Sequence, residues 1–405
     1  MSSLSIATYF PFERVNVVDH FVDHAVTQTV IRLEPDLRYH PICHDCGKTC
    51  THIHSKGHMR RVRDLNMGQA RNWLEISYRK VECEYCMGAR VEELFFLQSG
   101  KRVTRRLARY IYGLCKTMTV VDVARHLDMD PKTIKEIDLT ALEIDFGATD
   151  YSELRILAVD EIAVKKGHCY MTVVLDYLTG RVVWVGEGRD MSTLDRFFAG
   201  MSAEEKEGIE AVAMDMWEAF INRVTHHCPR AKIVFDLFHL VKAFSQVIDQ
   251  VRRSEYHKAT AQEKEVIKGS RYLLLTNKEN LTEPQKSKLQ DVLNLNTTLS
   301  AVYILKDHLK LIYGHTDRNS AKKALNFWCI MAEDLKHPAL KRFIGRLRFF
   351  EYGILNHCDH QIGTGPLEGS NNKIKVIKRK AYGYHDTHYF ALKIKQAFST
   401  NENSA

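Results

Sequence analysis

RILAVDEIAVKKGHCYMTVVLDYLTGRVVWVGEGR, residues 155 to 189, decides what kind of fold the chain builds. Three apolar or alternating runs follow one another here, RILAVDEIAV, HCYMTVVLDY and RVVWVGEGR, the last two joined by the turn LTG. β-Branched and aromatic residues at period two, broken by turn chemistry, read as an antiparallel meander. Next come a helical run, STLDRFFAGM, a buried strand, IEAVAMD, a second helix, WEAFINRVTHH, and another strand, AKIVFD. The order β-β-β-α-β-α-β predicts a mixed sheet, because antiparallel neighbours need only a turn while parallel ones need a helical crossover.

Outward from this sheet the texture changes on both sides. From Leu237 to about Phe350 almost everything has helical period and is rich in Lys, Glu and Leu. GTGP at 363–366 then breaks the chain before GPLEGSNNKIKVIKRKAYGY. That segment reads as a helix with Pro366 in its first turn, an apolar stripe of Leu367, Ile374, Ile377 and Ala381, and a polar face of Glu368, Asn372, Lys375 and Arg379. Toward the start, residues 1–98 read as short strands and loops, with TVIRLEP, MRRVRDL and NWLEISYRKVEC alternating between turn signals such as NMG. Residues 100–146 carry three short helical patterns, RRLARYIYGLCKTM, VVDVARHL and PKTIKEIDLTAL. The predicted domain bounds are therefore 1–98, rich in strands; 99–148, of three short helices; 149–236, the first part of the mixed-sheet unit; 237–350, all-helical; and 351–405, the end of that unit with its basic helix.

The bulk composition excludes several classes. A chain of 405 residues that is 45% apolar and 27% charged has ordinary globular composition, and its length allows two or more domains. No apolar run approaches the roughly 18 residues of a membrane span. The start, MSSLSIATYFPFERVNVVDHF, lacks the basic-then-apolar pattern of a signal peptide, so a cytoplasmic protein with no membrane partner is expected. The net charge of +8 suits a polyanion.

Ten cysteines are too sparse for a disulfide scaffold, and four of them form two matched C-x2-C pairs. Cys43 and Cys46 stand in PICHDCGK, Cys83 and Cys86 in VECEYCMG. Zinc takes four soft ligands at tetrahedral corners, and each tight turn supplies two thiolates, so one structural Zn²⁺ is expected. Cys50, His52 and His54 lie near enough in sequence to replace one ligand. Cys115, Cys169, Cys228, Cys329 and Cys358 sit in apolar contexts and read as packing residues.

TVVDVARHLDMDPKTIKEIDLTAL has helix-turn-helix grammar: Val121, Val123, Ala124 and Leu127 pack the first helix, DMD turns, and Pro131 opens the second. Lys132, Thr133 and Lys135 are the early exposed residues expected at base edges, while Arg105 and Arg106 in KRVTRRLAR suit phosphates.

The chemistry is expected in the sheet. Asp160 ends the first strand of the meander and Asp215 the fourth strand, at the same edge of neighbouring strands. A lone acid there often only caps a turn. Two at matching places suit two-metal phosphoryl transfer, in which hard oxygen ligands on separate rigid elements hold two Mg²⁺ (or Mn²⁺) ions roughly 4 Å apart. Glu368 is the helix candidate for the third ligand, with Lys375 and Arg379 behind it tracking a DNA backbone; Glu161, Asp176 and Asp190 are weaker rivals.

Taken in order, the C-x2-C pairs, the helix-turn-helix, AVDEIAVKKGHCY, AMDMWEAF, IVFDLFHLVK and GPLEGSNNKIKVIKRKAYGY resemble the bacterial insertion-sequence transposases of the ISL-three family over nearly the whole chain. The resemblance implies an α/β, ribonuclease-H-like DDE core with a helical insertion, in which Asp160, Asp215 and Glu368 are catalytic and Asp236 and His239 support them. It implies a DNA strand-cleaving and strand-joining enzyme that binds double-stranded DNA, both its terminal inverted repeats and a target, as a homo-oligomer. A zinc and helix-turn-helix regulator without catalysis leaves the acids unexplained. A nuclease on the same core would cut without strand transfer.

Overall fold

Where the chain alternates apolar and polar residues it forms strands, and these gather into two sheets in two separate compact units, Met1–Gly147 and Ala148–Ala405. In the computed structural model the described residues are 6–165, 169–363 and 365–399, with the backbone alone for 6, 7, 165, 169 and 365–368.

The first unit holds β1 (Val15–Asp23), β2 (Gln28–Pro35), β3 (Ile53–Met67), β4 (Ala70–Cys83) and β5 (Gly88–Val91), in the order β1-β2-β4-β3 with β5 also on β4. Along β4, Asn72, Leu74 and Ile76 are buried at period two, and Leu74 and Ile76 join Phe10, Ile31, Leu33 and Val62 in one core. β3 and β4 form a hairpin at Gly68, whose φ of +60° suits a residue without Cβ.

Three helices follow: α1 (Arg105–Cys115), α2 (Val120–Leu127) and α3 (Pro131–Phe146). Each starts on a side-chain cap, from Thr104, Thr119 and Asp130, and Pro131 takes the first position of α3. Asp128 makes the turn between α2 and α3 in the left-handed region, φ 50°. One expectation needs correction here. Val121 is 55% exposed, whereas Val123, Ala124 and Leu127 are buried and Val120 packs against them. At 100° per residue, Val120 shares a face with positions three, four and seven further on, and Val121 does not.

The second unit begins with β6 (Ile156–Lys165), β7 (Cys169–Asp176) and β8 (Val182–Glu187), then α4 (Met191–Ala199), α5 (Ala203–Glu207), β9 (Ala211–Met214), α6 (Glu218–His227) and β10 (Lys232–Phe235). The sheet order is β10-β9-β6-β7-β8, with β10, β9 and β6 parallel and β6, β7 and β8 antiparallel to their successors. The mixed sheet expected from the element order is thus present. Helices α7 (Leu237–Lys258), α8 (Ala261–Ile267), α9 (Arg271–Leu275), α10 (Glu283–Leu295), α11 (Thr297–Ile312), α12 (Arg318–Asp334), α13 (Pro338–Phe349) and α14 (Glu351–Leu355) follow, then α15 (Gly365–Lys380) and α16 (Thr387–Ala397).

Strand alternation divides the sheet between two cores. Leu157, Val159, Met214, Ile233 and Phe235 face α4, α6 and the long helical stretch, in one continuous cluster that includes Phe244, Trp328 and Phe343. Ala158, Ile162, Val164 and Ala213 face the other way, against Ile374 of α15 and Phe390 and Ile394 of α16. Even-numbered residues of β6 therefore look toward α15. No helix among the described residues is long and apolar enough to cross a membrane.

Candidate active site and metal centres

The parallel register brings the acids together. Ala158 of β6 pairs with Ala213 of β9, so Asp160 and Asp215, each two residues further on, stand level and on the α15 face. Met214 pairs with Phe235 of β10, which brings Asp236 level with Asp215. Neighbouring strands lie about 4.8 Å apart, and His239 feels the charges of all three carboxylates. Asp215 and Asp236 follow their strands directly, but Asp160 is not at a strand end: it lies inside β6, which continues to Lys165 on its antiparallel partner β7.

Each carboxylate is held. Asp160 Oδ1 accepts the Glu161 N–H at 2.6 Å, and Oδ2 accepts Asn371 Nδ2 of α15. Asp215 Oδ1 accepts the Met216 N–H at 2.6 Å, and Oδ2 lies 3.1 Å from His239 Nδ1. Asp236 caps α7 by accepting the Phe238 N–H at 2.7 Å, which sets His239 in the first turn of that helix.

The site is electrostatically tense. Burial pushes Asp236 and Glu161 above the usual carboxylate range, and the charges of Asp160 and Asp215 add to both shifts. Burial also acts on Asp215, but the hydrogen bond and charge of His239 outweigh it and hold Asp215 low. Burial would likewise lower His239, yet Asp215, Asp160 and Asp236 raise it instead. Mutually repelling carboxylates, each oxygen still with a lone pair to spare, form the donor set that suits a hard divalent cation.

The rivals have other work. Asp176 accepts the Leu178 N–H at 3.1 Å in the β7–β8 turn, and its pairing with Leu157 puts it at the opposite end of β6 from the acid row. Asp190 caps α4. Glu161 sits 3.9 Å from Arg189. Glu368 belongs to α15, but its side chain lies outside the described residues. Lys375 and Arg379 are exposed on α15, and Arg379 Nε donates to the Lys375 carbonyl at 3.3 Å.

Asn371 is the residue that sequence reasoning passed over. The polar face had been drawn through Asn372, which is exposed, whereas Asn371 is half-buried and reaches Asp160. The signal was present: Ile374 and Ile377, three and six residues on, pack against the sheet.

In the first unit the Sγ atoms of Cys43, Cys46, Cys83 and Cys86 all lie within 4.8 Å of one another. Gly47, at φ +70°, closes the first turn by donating its N–H to the Cys43 carbonyl at 2.9 Å. The second turn joins β4 to β5, and the Cys43–Glu92 bridge brings the two together. Four sulfurs at that spacing fit zinc. Cys50 is buried beside them with its thiol directed at the Lys48 carbonyl, 3.7 Å away.

Lys132 is exposed at the start of α3, Thr133 is half-buried with its N–H and hydroxyl both on Asp130, and Lys135 is half-buried. Arg105 Nε donates to the Leu97 carbonyl at 3.0 Å. Arg106, expected at phosphates, also has partners within the unit. It pairs with the fully buried Asp64, donates to the Tyr9 carbonyl at 2.9 Å, and lies over the rings of Phe10 and Phe12. Its guanidinium is engaged inside the unit.

These features sort the chain as a DNA-binding unit joined to an acidic α/β unit, and comparison with known proteins agrees. A family profile described as transposase, of the DDE and ISL3 type, matches residues 157–394, and one for the helix-turn-helix domain of transposase family ISL3 matches 92–141. The transposase for insertion sequence element IS1001 of Bordetella parapertussis is 39% identical over 363 residues, 89% of either chain. That for insertion sequence element IS1557 of Mycobacterium tuberculosis is 26% identical over 381 residues, 88% of this chain and 85% of its own. The chain belongs to the ISL3 family of transposases.

Proposed function

We propose that the chain binds the terminal inverted repeats of its insertion sequence, hydrolyses a phosphodiester to free a 3′-hydroxyl, and directs that hydroxyl onto target DNA at one site made by Asp160, Asp215 and Glu368. The level, same-facing pair Asp160 and Asp215, with α15 tied to Asp160 through Asn371, carries the reading. Glu368 stands three residues before Asn371, the spacing that stacks helical residues one turn apart. Three parallel strands followed by an antiparallel pair, with the acids at the end of the parallel pairing, support a ribonuclease-H-like core.

Asp160, Asp215 and Glu368 would hold two Mg²⁺ or Mn²⁺ ions, which supply activation of the attacking oxygen and charge neutralisation at the leaving one. His239 fixes the orientation of Asp215, and Asn371 that of Asp160, so the carboxylates do not reorganise during reaction. In each step an oxygen of water or of a 3′-hydroxyl bonds to phosphorus as the opposite P–O bond breaks, the attacking oxygen loses its proton, and the leaving oxygen gains one. Lys375 and Arg379, exposed behind Glu368, meet the phosphate backbone. Zinc on the four cysteines builds the module that, with Lys132 at the head of α3, reads the repeat. Two element ends must be held at once, so the working form is a homo-oligomer on DNA.

The test is cleavage and joining of labelled terminal-repeat DNA in Mg²⁺. Asp160→Asn, Asp215→Asn and Glu368→Gln should each lose both steps by orders of magnitude while repeat binding survives, and pairs should be no worse than singles. Cleavage without joining by the wild type would make the protein a nuclease. Binding alone would make it a regulator.

A further inference from the structure

Beside Asp215 lies a groove about 670 Å³ in volume, within the range of roughly 300–1,000 Å³ common to small-ligand sites. Its walls come from the start of α4 (Met191), the start of α6 (Trp217, Glu218, Asn222) and the end of α13 (Arg346, Phe349). Trp217 is only two residues past Asp215. The apolar walls face solvent: Trp217 is 44% and Phe349 68% exposed. Exposed large aromatics gathered in one concavity mark a binding surface more often than an accident of packing.

The surrounding charge selects the occupant. Arg346 Nη2 donates to the Met216 carbonyl at 3.4 Å, and its guanidinium is near enough to Asp215 to act on that carboxylate. The Arg189 guanidinium lies 5.7 Å from the Trp217 ring centre. Trp217 Nε1 donates to the Arg189 carbonyl at 3.3 Å, so its one polar atom is used, while the ring is still 44% exposed. An apolar peptide would gain nothing from an arginine in the wall. A nucleotide would: its base stacks on aromatic faces while its phosphate meets guanidinium, and Glu218 and Asn222 offer groups for a base edge.

We propose that this groove receives one unstacked nucleobase of the strand cut at the acidic site, packed against Trp217 and Phe349, with Arg346 at the adjoining phosphate. The inference rests on the reading that the cut phosphate lies at Asp160 and Asp215. Pulling a base from the stack costs free energy, and stacking in the groove returns it, so the DNA bends its backbone toward the carboxylates.

The experiment uses the full chain and terminal-repeat DNA in which each nucleotide around the cut is replaced, one at a time, by an abasic unit. Trp217→Ala and Phe349→Ala should slow cleavage of intact DNA about 10- to 100-fold, with Trp217→Phe slowed less. One abasic position, and no other, should bring Trp217→Ala back to within a few-fold of the wild type, because no base then needs a pocket. Rescue by a change in the DNA also shows that the variant is folded. Wild-type cleavage by Trp217→Ala, or a loss that no abasic position restores, overturns the proposal. Asp160→Asn is run alongside. If it cuts normally, the catalytic assignment has failed, and the groove is then judged on binding with Ca²⁺ in place of Mg²⁺: tighter wild-type binding to DNA with one particular abasic position, altered in Trp217→Ala, supports it, and no such preference overturns it.

Discussion

His239 Nδ1 lies 3.1 Å from Asp215 Oδ2, a contact made because Asp236 caps α7 and so sets the ring three residues on against the end of β9. Removing the ring should free Asp215 to rotate. His239→Ala is expected to lower metal affinity or cleavage about 10- to 100-fold, as for other groups that orient a metal ligand, and to leave repeat binding intact. The Mg²⁺ dependence of single-turnover cleavage checks this. In the metal-free protein the pair also sets a pH window. His239 is raised above its ordinary 6.5, so its contribution is complete below that value and fades as pH rises through the raised one. Asp215 is lowered from 3.8, so its share is present above that value and is lost as pH falls through the lowered one. Thermal melts without metal should show His239→Gln lacking the loss of stability that the wild type shows as pH rises above 6.5.

The sheet order was legible because its strands are apolar runs bounded by turns, yet Asp160 was read as a strand terminus. Its neighbours explain the error. Parallel pairing of β6 with β9 stops at Ala158, while antiparallel pairing with β7 runs to Lys165, and the acid marks the first ending, not the second. β1 gave no signal, since an edge strand with exposed Asp19, His20 and Asp23 buries too little to force alternation. Asn371 and Asn372 differ by one helical position, and it is Asn371 that lies nearer the Ile374 and Ile377 stripe which packs on the sheet. The pairing of Arg106 with Asp64 was not legible, because nothing local reveals a buried carboxylate forty-two residues earlier.

That carboxylate supplies a second test. Asp64 is fully buried and also accepts from Thr104 Oγ1 at 2.7 Å, the same hydroxyl that caps α1, so one acid ties the first sheet to the start of the helices. Asp64→Ala should destabilise the protein by about 3 kcal/mol, since it leaves Arg106 without its partner. Arg106→Ala should lower stability in the same way and leave the salt dependence of DNA binding near that of the wild type. A salt slope flattened by one unit in a stably folded Arg106→Ala protein would restore the phosphate role.

Zinc should be countable. Elemental analysis of the full chain is expected to find about one Zn²⁺ per protomer, and Cys83→Ser to abolish it, because the four sulfurs are already within 4.8 Å of one another. Chelation should melt the first unit and remove repeat binding. Retention of the metal in Cys83→Ser but not in Cys50→Ser would move the fourth ligand to Cys50.

Asn371 separates a structural from a positioning role. Its Nδ2 donates to Asp160 Oδ2, joining α15 to β6 across the sheet face that α15 covers with Ile374. If the amide only packs the helix down, Asn371→Ala and Asn371→Asp should both lower thermal stability modestly and leave the Mg²⁺ requirement alone. If it aims Asp160, the two should part company. Asn371→Ala loses the donor, so that among the described residues Asp160 keeps the Glu161 N–H, and half-maximal cleavage should need about tenfold more Mg²⁺. Asn371→Asp adds a carboxylate to a row that already repels itself, so the metal-free protein should melt earlier while Mg²⁺ restores more stability than in the wild type. Melting curves with and without Mg²⁺, beside a Mg²⁺ titration of cleavage, read both effects, and an unchanged titration in either variant would return Asn371 to packing.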